Sequence, residues 1–325
     1  MKLKDKIFST KSVFKARIYG KRVPLIISWA VTTRCNLRCG YCSAWNAKEE
    51  ELGTDQILAV IEELSGMGTR KIQLTGGEPL LRDDIGQILN FCKDKGISTS
   101  INSNGLLVEK KKELLKNLDL LCLSFDGQKS VHNYIRGEGS YDSVIQAAKI
   151  AKDDNIKLRF VTVLGSHNLN EIDFILQKAE EFGAMVLFQP ATENILRCNE
   201  PNPFVAGKEG YKKTMTELLV KKNKNRYIAN SIAGLKHLYN WPEKTKIICH
   251  KSSIACRIES NGDVYICPRM KEKVRSDNCI EKGFREAFFN LPLVSCDSCW
   301  CAANVEINCL LAFRPNAMFN VTKLV

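Results

Sequence analysis

The stretch Leu25-Ile-Ile-Ser-Trp-Ala-Val-Thr-Thr-Arg-Cys-Asn-Leu-Arg-Cys-Gly-Tyr-Cys42 sets the reading of the whole chain. Its first seven residues, Leu25 to Val31, form an apolar run of the length of a buried strand, and a loop with cysteines at C-x3-C-x2-C spacing follows. Three thiolates on a loop leaving a strand can wrap one face of a cubane iron–sulfur cluster and leave one iron open to a small molecule. A structural zinc site needs four closed ligands, and no nearby His or fourth Cys completes this set. A disulfide needs an oxidising compartment, and the first residues lack the apolar core and cleavage site of a signal peptide.

Outward from that loop, short β-rich runs alternate with longer helical patterns from Leu25 to about Pro190, which predicts βα units around a parallel sheet. Six strands are expected, at Leu25–Val31, Lys71–Leu74, Ser98–Asn102, Leu120–Ser124, Lys157–Val163 and Met185–Gln189. Helices are expected near Thr54–Met67, Asp84–Lys95, Val108–Asn117, Tyr141–Asp153 and Leu169–Phe182. Polar clusters follow the strand ends at Thr75-Gly-Gly-Glu-Pro79, Asn102-Ser-Asn-Gly105 and Ser124-Phe-Asp-Gly127. In a closed or partly closed (β/α) barrel these loops converge on the rim where chemistry is placed, and the cysteine loop joins them. The fold class is therefore α/β, a partial (β/α)6 TIM-like barrel followed by a small cysteine-rich C-terminal domain.

The expected divisions are a basic N-terminal arm over 1–24, the barrel over 25–190, a linker with one or two helices over 191–245, and a cysteine-rich domain with a C-terminal tail over 246–325. The 325 residues are 44% apolar and carry a net charge of +12. Eight basic residues (Lys2, Lys4, Lys6, Lys11, Lys15, Arg17, Lys21 and Arg22) against Asp5 place part of that excess in the arm, which suits an anionic partner or membrane surface, or a solvated extension. No apolar run approaches the roughly 18 residues of a membrane span. Of fourteen cysteines, eight lie between Cys249 and Cys309, and without an export signal they predict metal ligation in a reducing cytoplasm. Asn261-Gly262 between two apolar runs predicts a hairpin there.

With these residues in view, the chain resembles the radical S-adenosylmethionine enzymes, in the subgroup with a C-terminal SPASM or twitch extension, over about residues 22–310. The resemblance implies a [4Fe–4S] cluster on Cys35, Cys39 and Cys42. Its open iron would bind S-adenosylmethionine, and reductive cleavage would give a 5′-deoxyadenosyl radical that abstracts a substrate hydrogen. Gly76-Gly77-Glu78-Pro79 resembles the GGEP motif, where backbone and the Glu78 carboxylate receive the methionine ammonium. Tyr41 resembles the aromatic whose backbone contacts adenine. Asn104 and Ser124 fall where family members meet ribose and methionine, Arg136 resembles a partner of the methionine carboxylate, and Asn168 a later asparagine near the ligand.

Cys249-x12-Gly262-x4-Cys267 with Cys296-x2-Cys299 resembles the extension's ligand set, which implies at least one auxiliary [4Fe–4S] cluster on Cys249, Cys267, Cys296 and Cys299. The spacing departs from the full pattern after Cys299, leaving Cys256, Cys279, Cys301 and Cys309 as additional candidates. Cys92, Cys122, Cys198 and the four histidines read as structural. The favoured function is a radical enzyme acting on a peptide or protein side chain. Alternatives are action on a small molecule (sugar, nucleotide or lipid precursor), or a noncatalytic iron–sulfur electron-transfer or binding protein. A flavodoxin- or ferredoxin-type electron donor is the implied partner.

Overall fold

The computed structural model describes residues 3–47, 49–195, 198, 200–245, 247–270, 274, 276–296, 298–314 and 317. Lys2 of the expected arm lies outside them, as do residues 318–325 of the expected tail and 246, 271–273, 275, 297, 315 and 316 of the expected C-terminal domain.

Helix α1 (Leu3–Tyr19) occupies most of the expected arm. Within it Ser12 and Ala16 are buried, and Ala16 packs with Leu25, Ile254, Ala255 and Leu311. The charge run therefore rides on a helix seated against the body of the protein.

Strands β1 (Ile26–Thr32), β2 (Lys71–Gly76), β3 (Ser98–Ser103), β4 (Leu120–Ser124), β5 (Lys157–Leu164) and β6 (Met185–Pro190) then stand parallel in chain order. Helices α2 (Thr54–Gly66), α3 (Ile85–Asp94), α4 (Val108–Lys111), α5 (Lys129–Arg136), α6 (Ser140–Asp153) and α7 (Ile172–Phe182) connect them. The expected α/β partial barrel is borne out. One expected helix, Val108–Asn117, is instead the single turn α4 followed by 3-10 turns over Lys112–Leu115.

Alternation along the strands explains the layers. In β1, Ile27, Trp29 and Val31 pack toward the helices, and in β2 Ile72 and Leu74 do the same. Fully burying each such side chain contributes about 1.5–3 kcal/mol relative to exposure. The residues between them, Ile26 and Ser28 in β1 and Lys71, Gln73 and Thr75 in β2, turn to the other face and line a cavity.

Past the barrel, α8 (Lys208–Lys222) and α9 (Ile232–Leu238) are the two helices expected of the linker. They are part of the main core: Tyr211, Met215, Leu218, Leu235, Leu238 and Trp241 are all buried there. The cysteine-rich region follows as β7 (Ile247–Ile248), α10 (Lys251–Ile254), β8 (Ala255–Ile258), β9 (Asp263–Tyr265), β10 (Asp277–Asn278), α11 (Phe284–Phe289), β11 (Ser295–Cys296) and α12 (Ala302–Leu311). The predicted hairpin is the antiparallel pair β8 and β9, closed through Gly262. Strand β8 also pairs in parallel with β1, with Ile26 opposite Ala255, so the hairpin and β10 extend the barrel sheet to nine strands. The barrel and the cysteine-rich region thus share one sheet.

Candidate functional site

The cysteine loop leaves β1 and is held at its root by Glu51. That carboxylate accepts hydrogen bonds from the Thr32 hydroxyl and the Thr33 amide and pairs with Arg34 at 3.2 Å. Arg82 adds a second brace, donating to the carbonyls of Val31 and Leu52 while paired with Asp84. Inside the loop, the Cys42 amide donates to the Cys39 carbonyl at 3.0 Å, and the Gly40 amide donates to the Ile135 carbonyl of α5. All three thiols are partly exposed. Burial, with Glu78, Cys39 and Cys42 adding to it, pushes the Cys35 thiol up to about 11, and Cys39 is also raised, by burial and by Cys42. Cys39 and Cys42 act on Cys35, and Cys42 acts on Cys39, so the three sulfurs are neighbours, and binding a metal among them displaces their protons.

The loop after β2 is fastened to the cysteine loop backbone to backbone. The Gly77 amide donates to the Thr32 carbonyl at 2.9 Å and the Glu78 amide to the Arg34 carbonyl at 2.8 Å. A Cβ on Gly76 would lie 2.0 Å from the Thr32 oxygen, and one on Gly77 2.1 Å from the Arg34 oxygen. Gly76 also has φ +134°, so both glycines are required by the approach of the two loops. The Glu78 carboxyl is buried and turned toward β3, accepting from Leu80 N, Ser103 Oγ and Asn104 N at 2.8–3.1 Å. Burial pushes it up to about 7 against the pull of those donors. The Asn104 side chain in turn donates to Asn36 of the cysteine loop at 2.8 Å. Asn36, not singled out by the sequence, is the fourth member of this brace.

Asp126 and Arg136 form a buried pair at 2.7 Å. Burial opposes the charge on Asp126, but the Arg136 guanidinium holds its carboxyl below the usual range; burial likewise works against the charged Arg136, which Asp126 holds above its own. Arg136 also donates to the Tyr41 hydroxyl, lies over that ring with its guanidinium carbon 5.5 Å from the ring centre, and reaches within 3.9 Å of Cys39 Sγ. The Asp126 amide donates to His132 Nδ1, which needs the neutral imidazole; burial and Arg136 push that histidine down to about 4. Asn168 is buried, donating to the carbonyls of Asp126 and Val163 and accepting from Gly165 N, so it ties the β5 loop to Asp126. Ser124 ends β4 on the same rim, half-buried.

The second cysteine set forms where β7 and β11 pair, with Ile247 opposite Cys296. Burial raises Cys249, with Cys267 and Cys296 adding to it, and burial with Cys301, Cys296, Cys249 and Cys267 raises Cys299 beyond the ordinary thiol range. Cys249, Cys267, Cys296 and Cys299 therefore share one space, on the wall of a cavity of about 380 Å³. Its other walls are Tyr41 at the rim and the inward residues of the strands. Among the described residues no three His, Cys, Asp or Glu side chains converge as around a single ion. The donor chemistry of both sets, neighbouring thiols, fits an iron–sulfur cluster. Cys256 and Cys301 line the same cavity, the first buried and the second exposed, and Cys279 and Cys309 are buried as well. The strand-face residues Lys71, Gln73, Asn102 and Arg159 also line it and were missed by motif reading. The signal was present: Lys71-Ile-Gln-Leu-Thr75 alternates polar and apolar in a strand that a parallel sheet ordinarily buries on both faces.

Residues 29–179 match the Radical SAM superfamily. The chain is 30% identical over 171 residues to the Fe-coproporphyrin III synthase of Methanosarcina barkeri, covering 50% of this chain and 43% of that one. It is 24% identical over 288 residues to the mycofactocin maturase MftC of Mycobacterium ulcerans, covering 85% and 77%. It thus spans less than half of the first relative and about three quarters of the second. Its fold is similar to that of Streptococcus suis SuiB bound to the precursor peptide SuiA, with a TM-score of 0.70 at 19% identity over 88% of this chain and 69% of that one. Among the described residues no helix is long and apolar enough to cross a membrane.

Proposed function

We propose that this chain, whose residues 29–179 match the Radical SAM superfamily, is a radical SAM enzyme that abstracts a hydrogen atom from a peptide or protein side chain. When bound, the cluster and S-adenosylmethionine supply reductive cleavage to a 5′-deoxyadenosyl radical. The chain's residues do the rest. Cys35, Cys39 and Cys42 hold the cluster, and the fixed Gly76 and Gly77 backbone presents the surface against which the ligand lies. Glu78 stiffens that surface through Ser103 and Asn104, so its part in receiving an ammonium is shared with the backbone it holds. Arg136, kept charged by Asp126, offers a guanidinium beside Cys39 and Tyr41, where a carboxylate would be paired. Ser124 and Asn168 complete the rim.

The observation that carries this reading is the pair of backbone bonds joining the cysteine loop to the glycine loop, Gly77 to Thr32 and Glu78 to Arg34. They bring the thiols and the ligand surface together at the mouth of a walled cavity, which shields a reactive radical from water. The peptide substrate is supported by MftC, a maturase by name, and by SuiB, solved with a precursor peptide. Cys249, Cys267, Cys296 and Cys299 hold an auxiliary [4Fe–4S] cluster on the far cavity wall. A flavodoxin- or ferredoxin-type donor supplies electrons in a reducing cytoplasm, and the basic α1 offers an anionic partner a docking surface. Anaerobically reconstituted protein with strong reductant should yield 5′-deoxyadenosine, and the Cys35→Ala/Cys39→Ala/Cys42→Ala variant none. Cleavage retained by that variant would refute the site.

A further inference from the structure

The two sides of α1 meet different surroundings. Ser12 and Ala16 turn to the body of the protein, where Ala16 packs with Ile254 of α10 and Leu311 of α12. At 3.6 residues per turn, Phe14 stands about 160° round the helix from Ser12, and Ile18 follows one turn later on the same outer side. The Phe14 ring lies 6.4 Å from that of Phe313 and is still 51% exposed; Ile18 is 53% exposed, and Tyr19 at the helix end 69%. Lys11 and Lys15 flank this apolar stripe on one side and Arg17 on the other, Lys21 follows past the helix end, and all four are exposed. No acidic residue occurs from Lys11 to Arg22, and none of the four cations has an ion-pair partner among the described residues. Arg22 lies over the Phe289 ring at 6.0 Å and donates to the Phe289 carbonyl at 2.7 Å, so that ring, 44% exposed, adjoins the end of the helix.

We propose that the anionic partner read for α1 is a lipid bilayer, on which the outer face of the helix lies flat; the inference rests on that reading and gives the partner a chemistry. Large apolar side chains on a convex helix leave water when they enter the boundary between headgroups and acyl chains. The flanking cations then reach back along their own aliphatic stems to the phosphate and carboxylate headgroups. An acidic protein surface or a nucleic acid backbone would pair the cations but leave Phe14, Ile18 and Tyr19 against hydrated polar groups. The helix lies on the bilayer and does not cross it, since among the described residues no helix is long and apolar enough to do so. Ala16 ties the helix to α10 and α12, so binding carries the body of the enzyme to the surface.

The test is co-sedimentation of the cluster-loaded full chain with vesicles of equal parts phosphatidylserine and phosphatidylcholine, beside vesicles of phosphatidylcholine alone. The protein should sediment with the first and stay in solution with the second. Each basic residue near such a surface contributes about fivefold to partitioning, so Lys15→Gln/Arg17→Gln should bind about 25-fold more weakly. Phe14→Ser/Ile18→Ser keeps every charge and removes only half-exposed side chains, and it should bind about tenfold more weakly. In Tyr19→Trp the added emission should be quenched by brominated phosphatidylcholine placed in the anionic vesicles. Equal binding to the two kinds of vesicle, undiminished binding by either double variant, or no quenching would each overturn the proposal. Polyglutamate is the acidic-protein probe: binding to it but not to vesicles would keep an anionic partner for α1 and overturn the bilayer, and binding to neither would overturn both. A dimer formed in place of vesicle binding and abolished by Phe14→Ser/Ile18→Ser would overturn the bilayer and assign the face to a second copy of the chain. 5′-Deoxyadenosine formation without vesicles should be the same in all these variants and reports on the radical reading alone.

Discussion

Replacing Asp126 by Asn tests the pair that sets the rim. The carboxyl is fully buried, Arg136 is 6% exposed, and they meet at 2.7 Å. Asparagine can keep the bond from the Val163 amide, made by Asp126 Oδ1 at 3.1 Å, only by turning its NH2 toward Arg136 Nε, donor against donor. Breaking a buried pair in this way costs about 3–5 kcal/mol because the remaining charge stays buried and uncompensated. An unfolding entropy of about 2.1 cal/mol/K per residue converts that loss, over a chain of this length, into a fall in Tm of about 4–7 °C. The assay is thermal unfolding of the cluster-loaded protein followed by circular dichroism, beside Arg136→Met and the double variant. The double variant should lose much less than the sum of the singles, since removing both charges leaves neither stranded. A fall of less than about 1 °C, or losses that simply add, would show that the pair does not hold the rim.

Two further outcomes follow from the loops. Gly77→Ala must push its Cβ off the Arg34 oxygen, sacrificing the bonds to Thr32 and Arg34, at about 1 kcal/mol each, plus about 1–3 kcal/mol of overpacking. The expected result is a folded protein with weakened cluster loading, seen as reduced iron content and visible absorption; full loading would contradict the close approach of the loops. Glu78 is raised from 4.5 to about 7 in the folded state, so the native protein binds a proton that the unfolded chain releases. Its stabilisation is complete below pH 4.5 and is lost as pH rises through 7. The Tm of the wild type should therefore fall relative to Glu78→Gln between pH 5 and 8, and a constant difference would refute it.

The strands of the barrel were legible because their apolar runs end at turn residues: β4 lies where it was expected, and β2 and β3 run on by one or two residues. Helix α5 escaped the periodic reading for a physical reason. Its buried residues are His132, Asn133, Ile135 and Arg136, so the face that packs inward is mostly polar and offers no apolar stripe to count. Arg136 itself was picked out by resemblance, but the helix that carries it, and the Asp126 carboxylate that holds it, came only from packing. Similarly, Asn168 and Glu78 resemble ligand contacts, whereas folding gives both of them the work of bracing loops.

The sequence by itself determined the three-thiol loop, the glycine loop one βα unit later, the hairpin at Asn261-Gly262 and the parallel barrel, because each is a local pattern of ligand spacing, turn chemistry or periodicity. Tertiary structure alone decided that β8 pairs with β1, that the second cysteine set faces the barrel cavity, and that Lys71 and Arg159 both line it. Those relations join residues about 90 to 230 positions apart, and they follow from which edge of the sheet is open and which strand faces turn inward, which no local pattern encodes.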